Sequence, residues 1–269
     1  MTVKSIMTHI EPTSSPHDSK HLAFALGMAE TFGAHVLALV FATEVMTSVP
    51  GQSDDDVVLR EKLVADQIND AAANRGVTCE VRGRSSFAYG FPDVFSDHAR
   101  LSDVLVIGYS ANPTMSQRML AGSAIFSSGR PALIVPATVA TTALPTRVAI
   151  AWDATPASVR ALHNALPFIR RAEDTLVVSV SDDKELRRGQ SGVEVTHLLA
   201  RHGAKASFNA VRMGRRSVFN TLHEVAAEFG ATMLVMGCNG HSPLYDMVFG
   251  SATTDLLHGR STMVILAAA

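Results

Sequence analysis

A chain of 269 residues, 47% of them hydrophobic, has enough apolar material for one large core or two ordinary ones. Its 23 basic and 25 acidic residues give a formal net charge of −2, split as −4 over residues 1–140 (10 Lys+Arg against 14 Asp+Glu) and +2 over the rest (13 against 11). A balance this close to neutral implies no polyanionic partner such as nucleic acid. Cys79 and Cys238 lie far apart with no C-x-x-C spacing, which excludes a disulfide framework or a cysteine zinc site and suits a reducing compartment. The opening MTVKSIMTHIEPT has no basic stretch leading into an apolar one, and no apolar run reaches the length of a membrane span, so a cytoplasmic protein without membrane contact is expected.

In chain order, residues 3–10 form an apolar strand, and Ser15-Pro16 opens a helix with Leu22, Leu26 and Ala29 on one face, stopped at Gly33. A strand over 36–41 leads to a loop over 46–56, where Pro50-Gly51 and three aspartates favour irregular structure. A helix over 57–73, a strand over 77–81, a helix over 91–100 and strands over 104–107 and 133–135 complete a first half. Residues 136–145, a tract of small residues bounded by prolines, read as a linker.

The same order then repeats. A strand over 148–152 is followed by Thr155-Pro156, which opens a helix with Val159, Leu162, Leu166 and Ile169 on one face. Strands over 176–180, 206–211, 233–236 and 264–266 alternate with helices over 192–201 and 218–229. Short continuous apolar strands suit a parallel sheet buried on both faces. The expected fold is therefore α/β, with two tandem doubly wound, Rossmann-like domains over 1–137 and 145–269. Each has a five-stranded parallel sheet whose ligand would lie outside the strand carboxyl ends.

The most informative stretch runs from Met233 to His258. A strand breaks at Gly237, Gly240 follows, and Gly250-Ser251 opens a segment of helical spacing, giving G-x2-G-x9-G-[ST]. Glycines let backbone amides approach an anion, and a helix N-terminus leaves amides unpaired at its positive end. This stretch resembles the nucleotide-binding branch of the universal stress protein family, and the resemblance extends as a tandem over nearly all of the chain.

The resemblance implies a site for ATP or a related adenine nucleotide, with or without Mg2+. In that reading Asp153 contacts ribose or adenine, and Ala151 and Trp152 flank the adenine. The Val180 backbone reads the adenine edge and Met236 packs on the nucleoside. Gly237, Gly240, Gly250, Ser251 and Ala252 hold the phosphates. The family's terminal strands pair across a dimer axis. Here both copies lie on one chain, so an intramolecular pseudo-dimer is expected, with homodimerisation open. Asp153 has a second reading, as a cap for the following helix.

The first half departs from the motif. Its loop begins Gly108-Tyr-Ser-Ala111, with Ala at the second glycine position and ten residues before Gly122-Ser123, and Glu11 stands where the second half has Asp153. Weak or absent nucleotide binding is expected there. A regulatory, stress-response role leads. An enzyme that hydrolyses or transfers the nucleotide slowly is the alternative, because GCNGHSPLYDMVFGS offers no Lys or Arg clamp and only Asp246 as a metal-holding carboxylate. A hydrolase reading rests on Ser110 in Gly108-Tyr-Ser110-Ala-Asn112, a loose likeness to a nucleophile elbow. The basic cluster Arg212, Arg215 and Arg216 reads as a solvated loop, and the eleven histidines show no metal-ligand spacing.

Overall fold

The computed structural model describes residues 2–13, 15–42, 54–83, 91–140, 143–180, 192–238, 251–258 and 261–269. Its first half runs β1 (Ser5–Ile10), α1 (Lys20–Phe32), β2 (His35–Val40), α2 (Asp54–Ala73), β3 (Cys79–Gly83), α3 (Phe91–Ala99), β4 (Val104–Tyr109), α4 (Met115–Gly122) and β5 (Ala132–Pro136). The second half repeats this as β6 (Arg147–Ala151), α5 (Pro156–Ile169), β7 (Asp174–Val180), α6 (Gly192–Arg201), β8 (Ala206–Val211), α7 (Val218–Glu228), β9 (Met233–Gly237), α8 (Ser251–Leu257) and β10 (Val264–Ala268).

The ten strands make one sheet in the order β3-β2-β1-β4-β5-β10-β9-β6-β7-β8. Within each half every pairing is parallel, as the unbroken apolar strands predict. The halves meet where β5 and β10 pair antiparallel, Ile265 opposite Ile134 and Leu266 opposite Leu133. Alternation sends Leu133, Val135, Val264 and Leu266 to one face and Ile134 and Ile265 to the other. Each of the two cores is thus continuous across the joint. One holds the inward residues of α1, α2, α5 and α6, and the other those of α3, α4, α7 and α8. At the first core's edge Phe32 meets Phe168 edge-on, ring centroids 5.8 Å apart, and the Arg171 guanidinium lies 4.9 Å from the Phe32 centroid. These contacts join the halves and contribute roughly 1 kcal/mol each beyond their buried area.

Local chemistry corrects one expectation. Ser15-Pro16 opens only a 3-10 turn over Pro16–Asp18, and α1 starts later, where the Ser19 hydroxyl accepts from the Leu22 amide. Ser15 makes no such side-chain bond, so the better-placed cap sets the helix start. Gly33, at φ +59°, stops α1 as expected. Within the linker tract Val139 is 5% exposed in the first core, and Leu144 lies against that core. Of the expected 46–56 loop, residues 46–53 lie outside the described residues, and Asp54, Asp55 and Asp56 belong to the first turn of α2, so the helix starts earlier than expected.

Candidate functional site

In the second half β6 is flanked by β9 and β7. The chain leaves β6 for α5 and β7 on one side and returns through α7 to β9 on the other. This reversal opens a crevice beyond the carboxyl ends of β6 and β9, where ligands of open α/β sheets bind. Ala151 ends β6 and Gly237 ends β9, so the expected residues from both strands reach the same crevice.

The β6–α5 turn is built around Asp153. Its Oδ1 accepts from the Thr155 amide (3.0 Å) and from the Thr155 hydroxyl (2.6 Å). Thr155 Oγ1 in turn accepts from the Ser158 amide and caps α5. Asp153 therefore reaches the helix through Thr155, which supplies the cap itself. Between them Ala154 sits at φ +59°, the left-handed region that a residue with a Cβ rarely adopts and that costs about 1–2 kcal/mol. Sequence reasoning identified Thr155 as a cap but gave no sign of the strained alanine.

Gly237 has a packing reason to be glycine. A Cβ there would overlap the backbone of Ala157 and Ser158 in the first turn of α5. Cys238 follows, buried, its amide donating to the Ala268 carbonyl (2.8 Å). Burial pushes its thiol up to about 12, with Thr253 exerting a smaller opposing effect. A thiol held neutral in this way is no nucleophile. Gly240 and Gly250 lie outside the described residues; Ser251 heads α8, with its side chain outside the description.

Ala151, Val180 and Ala252 are partly buried against the same core to which Met236, 2% exposed, belongs. Trp152 does not join them. Alternation turns its ring to the opposite face, into the core with Leu162, Leu166 and Val177. Its backbone stays at the end of β6, where the amide donates to the Val178 carbonyl and the carbonyl accepts from the Ser179 hydroxyl.

The first half is built differently at the same place. Gly122-Ser123 does not open a helix: Thr114 caps α4 through a capping box with Gln117, and the chain continues in a π-helical turn over Ser123–Ser127. The Ser123 amide is engaged with the Met119 and Leu120 carbonyls, and its hydroxyl with Ser96. Gly108 abuts the His21 imidazole, whose Nε2–H donates to the His9 carbonyl (2.9 Å) while Nδ1 lies 3.0 Å from Ser19 Oγ. Ser110 donates to Gln117 Oε1 (2.8 Å), and among the described residues no imidazole is hydrogen-bonded to it.

Among the described residues no group of His, Cys, Asp and Glu could hold a metal ion, and no helix is long and apolar enough to cross a membrane. Arg212 and Arg215 are exposed, and Arg216 pairs with Glu224.

Residues 145–267 match the model of the Universal stress protein family, and the chain carries a domain of that family in its second half. Three solved structures share the fold over almost the whole chain. A universal stress protein from Archaeoglobus fulgidus DSM 4304 has a TM-score of 0.77 at 16% identity, covering 99% of this chain and 96% of that one. A Pseudomonas aeruginosa UCBPP-PA14 protein provisionally placed in the same family has a TM-score of 0.62 at 15% identity, covering 99% and 93%. A functionally unknown protein from Pseudomonas aeruginosa PAO1 has a TM-score of 0.62 at 14% identity, covering 99% and 92%. At these identities the likeness is one of fold. No curated protein matches the chain significantly.

Proposed function

We propose that the second half binds one adenine nucleotide, ATP or a close relative, in the crevice between the ends of β6 and β9, and that the protein is a cytoplasmic nucleotide-responsive regulator. The observation that carries this reading is a conjunction. A universal stress protein domain contains a loop of the pattern G-x2-G-x9-G-[ST], and that loop leaves β9 at the crevice. Asp153, Ala151, Val180 and Met236 would surround the nucleoside. Gly240, Gly250, Ser251 and Ala252 would surround the phosphates, with Mg2+, where present, held by the phosphates themselves. Gly237 would act by letting α5 approach β9. The two domains, 1–137 and 145–269, would form a pseudo-dimer across the β5–β10 joint.

Calorimetric titration with ATP tests the reading. Close to one site per chain is expected. No heat and no change in melting temperature with ATP, AMP or adenosine would overturn it, and so would two equivalent sites.

A further inference from the structure

Matching the strands by register equates the halves residue by residue. Ile6 faces Val104 as Val148 faces Met233, and Ser5 faces His35 as Arg147 faces Asp174. His9 then takes the place of Ala151, Phe41 that of Val180, and Ile107 that of Met236. In the second half two of these positions, Ala151 and Val180, are partly open. In the first half the three are 5%, 5% and 1% exposed.

The crevice of the first half is filled by an aromatic pair. The His9 and Phe41 ring centroids lie 4.3 Å apart with the planes 43° to one another, and His9 Nε2 lies 2.8 Å from the Phe41 carbonyl. A carbonyl only accepts, so Nε2 carries the proton. A planar heterocycle packed on an aromatic ring, its edge N–H given to a backbone carbonyl at the end of a strand, is held as a ring-shaped ligand would be. Here the heterocycle belongs to the chain.

We infer that the first half retains a ring-binding crevice whose permanent occupant is the chain's own His9 imidazole, an internal guest that closes this half and leaves response to free ligand to the second half. The inference rests on the proposed nucleotide reading only in taking the second-half crevice as the responsive one. A guest admitted to the first half would be a base, not a nucleotide, because the Ser123 amide is already engaged.

The test uses full-length His9→Ala at a pH where free imidazole is neutral, with imidazole itself as the probe. The variant should melt below wild type. Imidazole at ten times its dissociation constant should raise the variant's midpoint by about 2–4 °C and leave wild type unmoved. A folded variant that responds no more than wild type overturns the inference, whether or not ATP binds the second half. If the variant does not fold, the His9 ring resonances of wild type decide. They should stay unchanged under saturating adenosine, and a shift would show that the occupant is displaceable and the inference wrong. Failure of the nucleotide reading has its own signature, absence of ATP binding by wild type.

Discussion

The Tyr109 hydroxyl donates a buried 2.7 Å hydrogen bond to the Leu257 carbonyl, 148 residues further along the chain. It joins the last residue of β4 to the last turn of α8, so the first half holds the far end of the helix that follows the glycine-rich loop. Burial pushes the phenol's ionisation well above its ordinary range and keeps it a donor at any physiological pH.

Tyr109→Phe deletes this donor and leaves a buried carbonyl unsatisfied, so it should cost about 1–3 kcal/mol of stability. Chemical denaturation of the full chain measures it. A midpoint equal to wild type would show that the bond adds nothing to the joint between the halves.

Gly237→Ala should destabilise by roughly 1–3 kcal/mol whether or not ligand is present, because the new methyl meets α5 backbone that cannot turn aside. Melting of the ligand-free variant is the relevant measurement. A wild-type midpoint combined with lost ATP binding would return Gly237 to a direct role at the phosphates.

His9 and His21 are both held neutral, their pKa values lowered from 6.5 to about 4, chiefly by burial and, for His9, further by its proximity to His21. Between those two values the unfolded chain binds more protons than the folded one, so stability rises with pH there. Nothing is lost above about 6.5, and stability falls as the pH is lowered from there towards 4. Urea midpoints across this range should show the slope, and His9→Phe, which keeps a ring but cannot titrate, should flatten it. An unchanged slope in that variant would count against His9 as a source.

Ser251→Ala should weaken ATP about ten- to a hundred-fold, the worth of one hydrogen bond to a charged acceptor, and leave adenosine nearly unaffected. Asp153→Ala should weaken both ligands alike. It also removes the acceptor for Thr155, so some loss of stability must accompany it. Equal loss of ATP and adenosine binding in Ser251→Ala would detach the phosphates from this loop.

Residues 144–269 expressed alone would leave β10 without β5. An edge as apolar as Val264 to Ala268 is a template for pairing, so the fragment should dimerise through it or aggregate. Sedimentation of a stable monomer would mean that the β5–β10 joint is dispensable.

The order of elements, the repeat and the parallel character of the strands were legible in the sequence, because continuous apolar runs such as 104–107 and 233–236 are dictated by burial on both faces of a sheet. So were the Thr155 cap and the Gly33 stop, since each depends on a few neighbouring residues. What needed the third dimension was whatever depends on residues far apart in sequence. Trp152 is adjacent to Ala151 in the chain, yet alternation sends it to the other core. Gly122-Ser123 matches a helix-opening motif, yet the Thr114 capping box starts the helix at Met115, seven residues before Gly122, and the Met119 and Leu120 carbonyls of its last turn engage the Ser123 amide. His9 is one histidine among eleven until the register of β1 and β2 brings its ring onto Phe41. Local chemistry settles periodicity, caps and turns; which side chain fills which space is settled only when the sheet brings distant strands together.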